Sequence, residues 1–297
     1  MTDIRCIELE GRGVLSITGR DAEDFLQGLI SNDISPAATG RVVYAALLTP
    51  QGKFLHDFFI LKYENAFLLD CEVKRLGELG KRLAAYKLRA DIELLDATED
   101  WFVAALLGGN SVEPFGLENS DPGNYTPLKY GGLIYRDPRP RMPGLRAIVP
   151  RMTDLLSHFE IPEIISGTAA DYERVRISAC VPDGSRDMTV GKATLMEFDF
   201  EGLRGVDFDK GCYVGQELTA RTKYRGLVRR RLTRVLIDGP LPSQGTPVMA
   251  NGKEAGEMCS GFENQALALL RIDRSEDAHA NNIPLKAGNT IVTPLPD

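Results

Sequence analysis

The chain has 297 residues, 43% hydrophobic and 26% charged, an ordinary globular composition with enough apolar material for a real core. Lys and Arg number 35 against 42 Asp and Glu, a formal charge of −7. That balance excludes a globally basic, free-standing nucleic-acid binder, and no direct nucleic-acid partner is expected.

Length gives two domains, or three compact units, at roughly 100–200 residues each. Asp3, Arg5, Glu8, Glu10 and Arg12 leave no room for an apolar signal core, and export is not expected. The longest mid-chain apolar run, 101–107, is far short of the roughly 20 residues that cross a bilayer. The expectation is a cytoplasmic protein with no membrane partner. Cysteines stand at 6, 71, 180, 212 and 259, and histidines at 56, 158 and 279. No two cysteines lie close enough for zinc-type spacing, so no stable metal site is expected and the thiols should be free in a reducing compartment.

In chain order, 14–18 reads as a strand. Asp21 is placed to cap a helix with Phe25, Leu26, Leu29 and Ile30 on one face. A strand over 41–49, a turn at Pro50-Gln51-Gly52-Lys53 and a hairpin of 54–63 with 66–70 follow. The stretch 72–89 reads as an amphipathic helix with Val73, Leu76, Leu79 and Leu83 inward. A second round has a buried strand at 101–107, a Gly- and Pro-rich stretch over 113–143 with one or two short strands, and a strand at 146–149. Thr153 is placed to cap a helical stretch over 154–159, and Thr168 a helix running to about Cys180. Beyond Arg230 the pattern is read as strands only, at 231–238, 246–250, 254–260, 265–272 and 289–294, a small all-β barrel or sandwich. The fold class is α+β, with the boundary in the region 227–234.

One segment carries the functional signal: Lys210-Gly211-Cys212-Tyr213-Val214-Gly215-Gln216-Glu217, continuing through Arg221, Lys223, Tyr224, Arg225 and Gly226. Gly211 and Gly215 bracket the cysteine and let the backbone turn sharply or approach a ligand. A short helix over 216–221 places Glu217 and Arg221 four apart, in the favourable order for an ion pair. A thiol just before a helix and beside a lysine favours its thiolate. The basic residues suit an anionic ligand, such as a phosphate or a polyglutamate tail. The alternatives are a cysteine that packs as a small hydrophobe and a basic rim that is merely solvated. The run Arg229-Arg230-Arg231 is read as a solvated face at a linker.

The stretch 210–226 resembles the signature of the YgfZ-type proteins, K-G-C-Y-x-G-Q-E followed by an arginine and an aromatic-x-G ending. The runs 25–33 (F-L-Q-G-L-I-S-N-D) and 48–57 (L-T-P-Q-G-K-F-L-H-D), and 256–261 with 266–272, resemble other parts of the same superfamily. It includes the aminomethyltransferase (T-protein) of the glycine cleavage system. The resemblance implies a ring of three units around a folate-sized hole: two intertwined, ferredoxin-like α+β units, approximately 1–100 and 101–228, and a C-terminal β-barrel over 229–297. It implies an accessory role in assembling or maintaining 4Fe-4S proteins, including enzymes that modify tRNA. Iron–sulfur proteins or their assembly machinery are the implied partners, and tetrahydrofolate or a derivative the implied ligand. Cys212 and Asp57 are the candidate reactive groups. Lys210, Gly211, Gly215, Gln216, Glu217, Arg221, Lys223, Tyr224 and Asn32 are the candidate ligand-binding residues.

The other reading is a tetrahydrofolate-dependent aminomethyltransferase or a folate-binding module. Asp57 falls on the T-protein's catalytic aspartate; the alternative is a polar residue on the open face of a strand. Ser178 stands where that enzyme's pterin-binding glutamate would be, and a hydroxyl cannot give a carboxylate's two parallel hydrogen bonds. The T-protein has no cysteine at the position of Cys212, and its long N-terminal extension finds no match here. These departures favour the assembly role over aminomethyl transfer.

Overall fold

A computed structural model describes residues 3–109, 111–152, 154–226 and 228–296. They group into two compact units. The first contains the described residues up to Leu48, His56–Tyr172 and Gly202–Val214; the second contains Thr49–Leu55, Glu173–Glu201 and the chain from Gly215 onward.

In chain order the first unit holds β1 (Ile4–Glu8), β2 (Arg12–Thr18), α1 (Ala22–Gln27), α2 (Ser35–Ala38) and β3 (Val43–Leu48). Then come β4 (Phe54–Tyr63), which begins two residues earlier than this unit, β5 (Ala66–Glu72), α3 (Leu76–Lys87), β6 (Glu93–Asp96) and β7 (Trp101–Leu107). It closes with β8 (Tyr125–Pro127), β9 (Leu133–Arg136), β10 (Leu145–Pro150) and β11 (Ile164–Ser166). Two sheets result. One has five strands in the order β3-β4-β5-β2-β6, the other six in the order β11-β1-β7-β10-β9-β8. In the second, β11 runs parallel to β1, with Ile4 opposite Ile164. All six residues of β3 are buried, as are the first eight of β4; strands covered on both faces read as continuous apolar runs rather than alternating ones. Leu76, Leu79 and Leu83 put one face of α3 into the core with Leu26, Phe58 and Leu69. Ile4, Leu106, Ile134 and Val149 centre the other sheet's core.

The second unit contains most of α4 (Ala169–Ser178), α5 (Gly184–Asp187) and α6 (Gln216–Tyr224). Its barrel is built from β12 (Arg230–Asp238), β13 (Pro247–Ala250), β14 (Lys253–Phe262), β15 (Gln265–Arg271), β16 (Leu285–Ala287) and β17 (Thr290–Pro294), with α7 (Ile272–Ala280) between β15 and β16. The six strands close in the order β12-β15-β14-β13-β16-β17, which removes exposed sheet edges. Val235, Val248, Met258, Ala268 and Val292 fill its interior.

Several expectations need correction. The region after Arg230 is not strand-only, because α7 interrupts it with a nine-residue helix. The strands β1, β11 and β16 escaped the periodicity reading because they are short. Asp21 does not cap α1 through its side chain; its carboxylate accepts the Asp91 backbone N–H at 2.8 Å instead. The helix expected over 72–89 opens as a 3-10 turn, Val73–Arg75, before α3 begins. The expected cap Thr153 lies outside the described residues; Asp154 caps the following turn, accepting from Leu156 N and Ser157 N. Thr168 does cap α4, in reciprocal bonds with Asp171.

Candidate functional site

Of the five free cysteines, Cys212 alone is exposed. Cys6, Cys71 and Cys259 are buried and Cys180 is half-buried. Burial pushes the Cys6 and Cys71 thiols up to about 12 and raises Cys259 as well, so these three are inert at neutral pH.

The loop that presents Cys212 is held from inside the first unit. The Lys210 ammonium donates to the carbonyls of Gln27, Ile30 and Asn32 at 2.7, 2.7 and 2.8 Å. Those carbonyls lie in and just after the last turn of α1, where helical partners run out. The ammonium also sits 5.2 Å from the centre of the buried Tyr213 ring. Burial pulls it down to about 8, against Asp33 and Asp207, and it remains charged at neutral pH. Asn32 Nδ2 donates to Tyr44 O and Arg204 O at 2.8 and 2.7 Å. Ser31 Oγ donates to Gly205 O at 2.6 Å, and Asp207 N returns a bond to Ser31 O. Lys210 has three donors, and all three are occupied. It and Asn32 were expected to touch a ligand; they are positioning residues that lock the segment 204–213 onto the end of α1.

Gly211 and Gly215 both have left-handed backbones, with φ of 95° and 84°. A Cβ on Gly211 would meet nothing within 4 Å, so the demand there is conformational rather than spatial. In the second unit Gly215 precedes α6 without a side-chain cap. Thr219 is buried on α6, whereas Glu217, Arg221 and Tyr224 are exposed. The expected Glu217–Arg221 ion pair does not form among the described residues. Lys223 pairs with Glu201 instead, at 2.7 Å. The start of α6 also rests on Gly52. A Cβ there would come within 2.7 Å of Leu218 Cβ and 2.8 Å of Gly215 O. The sequence marks Gly52 only as a turn residue; nothing in it signals this contact.

Asp57 is buried rather than on an open strand face. Its Oδ2 accepts the Tyr44 hydroxyl at 3.0 Å. Around it, still in the first unit, is an ionic cluster that sequence reading missed. Arg12 Nε donates to Asp70 Oδ1 at 2.6 Å, and Arg146 bonds the other oxygen of Asp70. Arg139 grips Asp137 with two parallel bonds of 2.9 and 2.6 Å. All three guanidiniums stack on Phe59, Arg146 closest at 4.1 Å from its centre. Asp57, Asp70 and Asp137 balance Arg12, Arg139 and Arg146. This pairing is what lets five of these charged residues stay buried, with Arg12 half-buried beside them, and removing one partner would strand the other.

The fold family implies a folate, and the residues at the corresponding position do not fit a pterin edge. Ser178 is exposed and its carbonyl accepts Arg234 Nη1 at 2.8 Å. Its neighbour Arg176 is buried and committed to Asp187, Glu173 and Ser260. No carboxylate at 178 supplies the paired hydrogen bonds. Among the described residues no three His, Cys, Asp or Glu side chains cluster in a way that could hold a metal ion.

The folding pattern has counterparts among known proteins. Residues 2–115 match the family model described as the GCVT N-terminal domain, and 229–297 match the CAF17 C-terminal beta-barrel domain. The aminomethyltransferase T of the glycine cleavage system from Bartonella henselae superposes with a TM-score of 0.77 at 14% identity, over 99% of this chain and 85% of that one. The fold is therefore that of the aminomethyltransferases, completed by a closed six-stranded barrel.

Sequence relatives narrow the class. The mitochondrial iron–sulfur cluster assembly factor IBA57 of Mus musculus is 34% identical over 288 residues, covering 90% of this chain and 77% of that protein. The Homo sapiens protein of the same name is 34% identical over 287 residues, covering 89% and 77%. The homologue from Neosartorya fischeri is 31% identical over 91% and 70%. The chain belongs to the IBA57 family of iron–sulfur cluster assembly factors. The cytoplasmic expectation is overturned, because these relatives are mitochondrial by name. Free thiols and the lack of an apolar span report on redox state and membrane crossing, and neither specifies a compartment. Among the described residues no helix is long and apolar enough to cross a membrane.

Proposed function

We propose that the chain is an accessory factor in assembling or maintaining 4Fe-4S clusters, with Cys212 as its point of contact with the cluster or the sulfur cargo. The single observation that carries this reading is the contrast between one exposed thiol on a clamped loop and three thiols raised by burial. The family relationship gives the process, and the exposure of the loop supports the choice of Cys212 as the group.

Clusters usually take four protein thiolates. One thiolate holds a cluster only when the other iron positions are filled by a second protein or a small thiol. The cargo is then shared with iron–sulfur proteins or the assembly machinery and handed on, with tRNA-modifying enzymes among the clients. When Cys212 binds iron, its proton leaves to solvent and the sulfur–iron bond forms. Lys210 acts through the loop, holding Cys212 outward. No folate step is part of this reading.

The test is anaerobic mixing of the full chain with ferric iron, sulfide and glutathione, whose thiols supply the electrons for the ferrous half of the cluster, followed by absorption in the thiolate-to-iron charge-transfer region. The wild type should develop bands that Cys212→Ser lacks. Bands of equal strength in the variant would remove the thiol from the mechanism.

A further inference from the structure

Wholly within the second unit lies a cavity of about 300 Å³ whose seven lining residues include Thr194, Glu197, Thr222, Arg229, Arg230 and Arg271. Three of the seven are arginines, in a chain whose formal charge is −7. Two of them are cross-strand partners, Arg230 on β12 lying directly opposite Arg271 on β15. Like charges placed opposite one another on a sheet destabilise it. Arg229 is anchored next to the pair, its carbonyl accepting the Ile272 N–H at 3.0 Å.

The one lining carboxylate is already engaged. Glu197 Oε2 accepts Thr194 N and Thr194 Oγ1 at 3.1 and 2.9 Å, and Oε1 accepts Arg230 Nε at 2.9 Å. It therefore holds Arg230 in place. The remaining partners sit outside the lining: Glu257, 3.5 Å from Arg230, and Asp273, which takes two bonds from Arg271. Their side chains are 38% and 59% exposed. Exposed pairs of this kind contribute little and exchange readily. The Arg229 side chain has no ion pair among the described residues.

We propose that this cavity is a binding site for a phosphate-class anion, a pyrophosphate group either free or carried by a nucleotide. Three arginines line this one concavity, and the guanidinium fork is the geometry in which arginine recognises phosphate oxygens. The volume lies at the lower end of small-ligand pockets, roughly 300–1,000 Å³, room for a diphosphate with part of what it is attached to. Binding adds negative charge beside the opposed Arg230 and Arg271, whose partners Glu257 and Asp273 are exposed, so the ligand should also stabilise the barrel.

The experiment is calorimetric titration of the full chain with inorganic pyrophosphate and, separately, with ADP, at low ionic strength. The variants are Arg229→Gln/Arg271→Gln and, as a charge control, Lys253→Gln in the exposed β13–β14 hairpin. Wild type and Lys253→Gln should bind pyrophosphate equally. The double variant should bind about tenfold more weakly or worse, the loss of charge-assisted hydrogen bonds. ADP equal to pyrophosphate assigns recognition to the phosphates; tighter ADP binding adds the nucleoside; either result upholds the site. Without ligand the double variant should melt no lower than wild type. If it does melt lower, Arg229→Gln alone, outside the cross-strand pair, replaces it. No pyrophosphate binding by wild type, or equal affinity in wild type and the arginine variant, overturns the proposal.

Discussion

Cys212 and Lys210 lie two positions apart in the sequence and have opposite roles. One presents an exposed sulfur, and the other turns its charge inward onto three carbonyls. The sequence singles out the cysteine because K-G-C-Y is a rare combination. The lysine's task is not legible there, because its partners lie about 180 residues earlier in the chain and no local pattern encodes them. His56 offers a quantitative test at this scale. Its ring is buried, Nε2 has no hydrogen-bond partner among the described residues, and burial, with Arg75 and Arg82 nearby, lowers it from 6.5 to about 4. The unfolded chain thus binds a proton between those values that the folded chain refuses. The stability is fully present above pH 6.5 and lost as pH falls toward 4, by about 3 kcal/mol from the size of the shift. Denaturant unfolding at pH 7.0 and 4.5 should show a larger loss for wild type than for His56→Leu. Parallel losses would show that the ring contributes nothing to the pH dependence.

At the scale of elements, the long apolar runs were predictable and the short pairings were not. The strand 101–107 and the hairpin of 54–63 with 66–72 emerge with nearly the limits that periodicity gives. The three-residue strands β11 and β16 form only because β1, β13 and β17 supply their hydrogen bonds, and that is tertiary information. The same holds for the place of Arg176. It is buried, joining α4 to Asp187 of α5 and Ser260 of β14. Gly52 sits where the turn before β4 meets the start of α6. Its φ of 71° and the 2.7 Å approach of Leu218 Cβ leave no room for a methyl group. Gly52→Ala should lower stability by about 1–3 kcal/mol, read as a fall in thermal midpoint. An unchanged midpoint would mean that the turn adapts freely and does not hold α6.

For the whole molecule, a shared fold and a shared process come apart from a shared chemistry. The chain has the aminomethyltransferase fold at 14% identity, yet Ser178 offers no pterin-binding carboxylate and Asp57 is bonded to Tyr44. Fold alone does not fix chemistry; the family relationship points to cluster assembly. The α+β part and the C-terminal barrel were both legible. The Arg12–Asp70–Arg146 cluster was not, because its members come from three strands and only folding brings them to Phe59. The most direct test is the activity of a 4Fe-4S enzyme in cells lacking this protein, complemented with wild type or with Cys212→Ser, each checked for folding by its melting temperature. The account predicts that wild type restores activity and that Cys212→Ser, folded as well as wild type, does not. Equal rescue by the two proteins would contradict it.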